Sequence, residues 1–223
     1  MTRREAAFDL AIVLGVITAA WALSRLWLYP ALGIPGHAPL ILRPISGFLV
    51  ACWLVRRRGQ SWSDLGLRRP GWLRGALGGV ALYALLVSVS RWVVPVLAAS
   101  LEVVPQPAFL SYIQGKLVPF LGWLAIAWLV GGFAEELLFR GFLLRRAAEL
   151  CGGGVPGQVF GAVAQALLFG ALHWYGGSFA FVHAGVFALQ MALGYFAVGR
   201  NLWPLIAVHG IWNTRGLWST YTS

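Results

Sequence analysis

Long apolar runs, interrupted by short stretches rich in arginine, glycine and proline, set the pattern of the chain. The runs lie near residues 7–28, 39–55, 73–98, 117–146, 157–175, 179–199 and 201–219. A helix needs roughly 17–25 residues to cross a bilayer, and most of the runs meet that length. They predict an all-α fold: a polytopic membrane helical bundle of about seven transmembrane helices, with six and eight as the bounds. The run 39–55 is the weakest, because it is short and carries Arg43 and Pro44. Glycines recur inside the runs, at Gly78, Gly79, Gly131, Gly132, Gly161, Gly170 and Gly194. Small residues of this kind let helices pack closely in lipid. No internal repeat or low-complexity segment divides the chain, so residues 1–223 read as a single membrane-embedded domain.

Composition sharpens this picture. The chain is 59% hydrophobic and 11% charged, against about 25% charged in soluble domains. Its 12 Trp and 6 Tyr often flank the runs, as interfacial anchors do. The net charge of +10 does not point to nucleic acid. The arginines cluster between apolar runs, where the positive-inside rule puts them, and no aromatic-and-basic binding motif accompanies them. Arg3, Arg4, Arg56, Arg57, Arg58, Arg68, Arg69, Arg74, Arg145, Arg146 and Arg200 fall on one side of the predicted bundle. Only Arg25, Arg43, Arg91, Lys116 and Arg215 lie near the other ends. The expected topology has the N-terminus cytoplasmic and the C-terminus outside, in the cell membrane. The first apolar run is too long for a signal-peptide core and lacks a small-x-small cleavage site, so a retained first helix is expected. The connection RRRGQSWSDLGLRRPGW is expected on the membrane surface, with Ser63 capping a turn and Pro70 and Gly71 ending it. Cys52 and Cys151 have no metal-ligand spacing and are expected as free thiols.

Charges inside the fourth run bring in chemistry. The stretch FAEELLFRG places two carboxylates and a guanidinium in apolar surroundings. Each such charge costs roughly 2.5–3.5 kcal/mol at a helix centre on insertion scales. Glu136 and Arg140 are four apart and share a helix face. Glu135 is turned about 100° from Glu136 and about 140° from Arg140, so the arginine compensates it poorly. Glu135 falls near the expected midplane. The next run carries His173, and the last carries His209 and Asn213, again four apart. A lone membrane histidine can be a packing residue, and a Glu–Arg pair can be a structural clasp. An uncompensated glutamate, two histidines and an asparagine on three helices read instead as one shared site, since polar groups at this depth turn toward the bundle interior or a cavity. His183 is expected to be structural, and His37 to be an ordinary loop residue.

A carboxylate beside an imidazole can hold and deprotonate a water. An imidazole and an amide on one helix face can donate to an oxyanion. Together they suit amide hydrolysis without a covalent intermediate. No Ser or Cys stands in a nucleophile motif near the histidines. Two histidines and a carboxylate also resemble a zinc or iron set, but there is no HExxH, and Arg140 and Asn213 suit anion binding better. No metal and no cofactor are expected.

The series EExxxR, FxxxH and HxxxN, here Glu135, Glu136 and Arg140, then Phe169 and His173, then His209 and Asn213, resembles the motifs of the CPBP family, the CAAX proteases and bacteriocin-processing enzymes also called Abi. The stretches SWSDLGLRRPGW and GYFAVGRNLWPLIAVHGIWN look like family segments as well, so the resemblance covers about residues 61–75 and 130–215. It implies a multi-pass helical fold with a water-filled cavity and a glutamate-type intramembrane endopeptidase, with its catalytic core at about 117–219. Glu135 would activate water with help from His173, and His209 and Asn213 would form the oxyanion site. Glu136 and Arg140 would brace the helix and touch substrate, and Phe169 belongs to the same structural or substrate-contacting set. The implied partners are the lipid bilayer and a membrane-associated peptide or protein substrate, of prenylated or bacteriocin type, reached through a cavity open to the cytoplasm or sideways to lipid. The rival readings are a non-catalytic immunity or peptide-binding protein using the same cavity, a metal-dependent membrane protease, and a transporter. The last is disfavoured because many transporters are built from internal repeats.

Overall fold

The computed structural model describes residues 1–32, 39–69, 71–101 and 112–223. His37 and Pro70 lie outside the described residues. Among the described residues the structure is helical and has no strand.

Helix α1 (Arg3–Leu23) starts on a capping box in which Thr2 and Glu5 exchange hydrogen bonds. A π-helical turn, Ser24–Leu28, and a short α2, Tyr29–Leu32, prolong it. Helix α3 spans Pro39–Arg57, and α4 spans Trp72–Trp92. Pro95, which lacks an N–H, follows a break at Val93, and α5 (Val94–Ser100) continues. Helix α6, Leu117–Ile126, passes through π-helical stretches at Ala127–Ala134 and Leu137–Leu143 into α7, Leu144–Leu150. Helices α8 (Gly154–Leu172), α9 (Gly177–Ala197) and α10 (Leu202–Thr222) complete the bundle.

Each predicted apolar run therefore coincides with a helical segment. Five of these are long and apolar enough to cross a membrane: Arg3–Leu32, Trp72–Ser100, Leu117–Leu150, Gly154–Leu172 and Trp174–Ala197. Helices α3 and α10 are not among the five; α3 carries Arg43, Arg56 and Arg57, and α10 carries His209, Asn213 and Arg215.

The long segment Leu117–Leu150 packs against α1, α3, α8 and α10, while α4 packs against α9 and α10. Glycines set the closest approaches. A Cβ on Gly161 would strike the Leu144 carbonyl, and one on Gly170 would lie 2.6 Å from the Phe181 carbonyl. The core runs through Leu137, Leu138, Phe142, Ala188, Met191, Tyr195, Leu202 and Leu205, all at most 1% exposed.

The end that carries the arginine clusters is locked by ion pairs. The Asp9 carboxylate is fully buried and takes Arg58 Nη2 at 2.7 Å and Arg146 Nε at 3.0 Å. One acid thus joins α1, the end of α3 and α7.

The connection at 61–69 is docked onto the bundle: Leu65 is 4% exposed, and Leu202 N donates to Gly66 O at 2.9 Å. Asn201 caps α10 through Trp203 N and also donates from Nδ2 to Arg68 O at 2.9 Å. Gly66 sits at φ +96°, where a Cβ would meet the Arg200 carbonyl. The turn is closed by Ser61 and Asp64, not by Ser63: Asp64 Oδ2 accepts from Ser61 N at 2.7 Å and from Ser61 Oγ at 2.8 Å. These bonds, the backbone one first, hold the Asp64 carboxyl below its ordinary range.

Candidate active site

The side chains singled out in the sequence arrive from three helical segments. Glu135 and Glu136 sit between the two π-helical stretches and Arg140 within the second: Glu135 N donates to Val130 O, and Leu144 N to Phe139 O, five residues back in each case. Such widened turns are frequent at functional sites. Here the two neighbouring glutamates part company. The Glu135 side chain keeps 18% exposure, and that of Glu136 is fully buried.

Glu136 is bonded on two sides. Its Oε1 accepts from Arg140 Nη1 at 2.9 Å and from His209 Nδ1 at 2.7 Å. An ionised carboxylate only accepts hydrogen bonds, so the His209 proton in this pair is on Nδ1. The Nε2 atom of the same ring stands 4.0 Å from Glu135 Oε2, too far for a hydrogen bond. Arg140 is also fully buried; its Nη2 donates to Ala188 O at 3.3 Å, and its guanidinium lies 5.3 Å from the Phe169 ring centre. The spacing argument anticipated the Glu136–Arg140 pair but not the Glu136–His209 bond, which links two runs far apart in sequence.

His173 is the residue that closes α8. Its Nδ1 is 2.7 Å from Phe169 O. A carbonyl only accepts, so Nδ1 carries the proton and Nε2 of the neutral ring keeps its lone pair. Phe169 stacks on this imidazole at 4.6 Å and meets Phe139 edge-on at 4.8 Å. Asn213 follows His209 by one turn on α10. Helix α10 comes close here because Gly131, Gly132 and Gly210 have no side chains. A Cβ on Gly131 would press on Asn213 Nδ2 and lie 3.9 Å from His209 Nε2. The imidazole and the amide therefore converge on one point beside the helix that bears Glu135.

Glu135, Phe169, His173, His209 and Asn213 all line one cavity of about 710 Å3. Glu136 and Arg140 stand behind its wall. The sequence reading missed several lining residues. Gly131 is half of a Gly–Gly pair that was legible only as a packing feature. His183 was assigned a structural role, yet it lines the cavity and stacks on Phe179 at 5.6 Å. Arg43, 9% exposed, and Tyr175 line it too; Arg43 had marked α3 only as a weak span. Tyr175 lies within electrostatic reach of both Glu135 and Arg43.

The direction of the cavity bears on the expected opening to the cytoplasm or sideways to lipid. From Glu135 it runs to Gln114, Tyr175 and Ser223, at the helix ends away from the arginine clusters. It does not open at the end that carries the clusters. Among the described residues, no group of three His, Cys, Asp or Glu converges as a metal site would require.

Chemically, the arrangement offers a carboxylate facing a cavity, one imidazole with a free acceptor nitrogen, and a second imidazole and an amide aimed at a common point. Residues 117–215 match the family model described as type II CAAX prenyl endopeptidase, Rce1-like. No curated protein and no solved structure matches the chain.

Proposed function

We propose, from the match of residues 117–215 to the Rce1-like family of CAAX prenyl endopeptidases, that the protein is an intramembrane endopeptidase of the glutamic type. That family is one of proteases, and the five long apolar helices make the protein a multi-pass membrane protein. The substrate is a membrane-associated peptide or protein.

Glu135 holds a water and takes one of its protons as the oxygen attacks a peptide carbonyl. His173 accepts a hydrogen bond from the same water through Nε2. His209 and Asn213 donate to the oxygen on which negative charge develops. Because Nδ1–H is held by Glu136, donation to the oxyanion from Nε2 requires the His209 ring to carry a proton on both nitrogens. The tetrahedral intermediate then collapses, the C–N bond breaks, and the Glu135 carboxylic acid returns its proton to the leaving amine. Glu136 and Arg140 are positioning residues that act through His209. Phe169 holds the His173 ring. In this reading the catalytic core is residues 117–219, and the arginine distribution supports a cytoplasmic N-terminus in the cell membrane.

The observation that carries this reading is the 4.0 Å approach of His209 Nε2 to Glu135 Oε2 in the cavity wall. That gap is too long for a bond and leaves both atoms available to a reacting group. The test compares membrane peptides by mass spectrometry from cells making the wild type and cells making Glu135→Gln in equal amount. New peptide termini that appear only with the wild type are expected. Identical peptides in both would reassign the cavity to a binding or immunity role.

A further inference from the structure

The two ends of the bundle are built differently. At one end lie the eleven arginines counted above, together with the loop 61–69. This end is packed shut beneath the site. Arg140 and Glu136 are fully buried, as are Leu138, Leu202 and Leu205. The loop is docked at this end: a Cβ on Gly141 would lie 2.8 Å from the Leu65 carbonyl, and one on Gly66 3.1 Å from the Leu202 side chain, so the loop backbone rests directly on the helix that carries Glu135 and on the start of α10. Asp9, holding Arg58 and Arg146, fastens the periphery of the same end.

At the other end the cavity reaches the surface of the bundle. Gln114, Tyr175 and Ser223 line it and are exposed. Each belongs to a connection or helix terminus opposite the arginine clusters. Membrane proteins retain arginine-rich short loops in the cytoplasm. The sealed end then faces the cytoplasm, and the open end faces outward.

We infer that peptide reaches Glu135 from the extracytoplasmic face of the membrane. The inference rests on the protease reading only in calling the visitor a substrate; the direction of the cavity stands on the packing. It narrows the substrate class to a peptide or protein segment displayed at the outer leaflet, such as an exported chain or an external loop of a membrane protein. A lipid-anchored tail held in the cytoplasmic leaflet meets only the sealed end.

Cysteine labelling tests this with little perturbation. Gly216 lines the cavity, and a Cβ there meets no atom within 4 Å. The native Cys151 is exposed at the arginine-rich end, between α7 and α8. One protein carries Gly216→Cys with Cys52→Ser and Cys151→Ser; the other retains Cys151 alone, with Cys52→Ser. Both are treated with a membrane-impermeant maleimide in right-side-out and in inverted vesicles. The expected result is labelling of Gly216→Cys only in right-side-out vesicles and of Cys151 only in inverted ones. Labelling of Gly216→Cys from the inverted side, from both sides or from neither overturns the inference, as does labelling of both cysteines from the same side. Since labelling requires no turnover, it stands apart from the protease reading, which fails instead if wild type and Glu135→Gln give the same peptides.

Discussion

At the scale of single residues, the contrast between Glu135 and Glu136 is the main physical fact. Adjacent in sequence, they have opposite surroundings: one faces a cavity, and the other is enclosed by Arg140 and His209. Taking away one member of a buried ion pair leaves a charge without compensation, at a cost of about 3–5 kcal/mol. Arg140→Met should therefore lower the unfolding temperature in detergent sharply, and Glu136→Gln with Arg140→Met should recover part of the loss. A double variant as unstable as Arg140→Met would show that the guanidinium acts through packing rather than charge. Gly131 offers a finer probe. The methyl of Gly131→Ala would press on the Asn213 amide, and misplacement of a catalytic group by about 1 Å can cost 10²-fold in rate. Cleavage by Gly131→Ala should fall by about that factor with folding intact. Gly122→Ala, where a Cβ meets nothing within 4 Å, should cleave at the wild-type rate and serve as the control.

At the scale of elements, the helices were legible because a bilayer demands long apolar runs, and every run produced a helical segment. The Glu136–Arg140 pair was legible too, since four-residue spacing brings side chains together on a helix. The π-helical geometry at Ala127–Ala134 and Leu137–Leu143 was not. Hydrophobic periodicity is weak when nearly every residue is apolar, so the sequence holds no phase from which to read a widened turn. The bond from Glu136 to His209 depends on how α10 docks through Gly131, Gly132 and Gly210, and spacing within one run cannot disclose a partner in another. The same reason hid the loop 61–69, which is polar in composition yet fixed by Leu65 and by backbone hydrogen bonds to Leu202. Gly141→Val should dislodge that loop, because the added side chain would occupy the place of the Leu65 carbonyl. Faster tryptic cutting after Arg68 is expected; unchanged cutting would mean that the loop is held by other contacts.

At the scale of the whole molecule, the polar groups of three helical segments meet in one cavity within an otherwise apolar bundle, and the site uses no convergent set of metal ligands among the described residues. Activity of the purified protein should persist after exhaustive chelation, and loss of activity restored by zinc would return the metal-dependent alternative. The central claim is that Glu135 drives attack of water on a peptide bond. It is tested most directly by incubating the reconstituted protein with a membrane-peptide mixture in water enriched in oxygen-18. The account predicts product peptides whose new C-terminal carboxylate contains oxygen-18 with the wild type, and none with Glu135→Gln. Labelled products formed equally well by Glu135→Gln, or no products from the wild type, would contradict it.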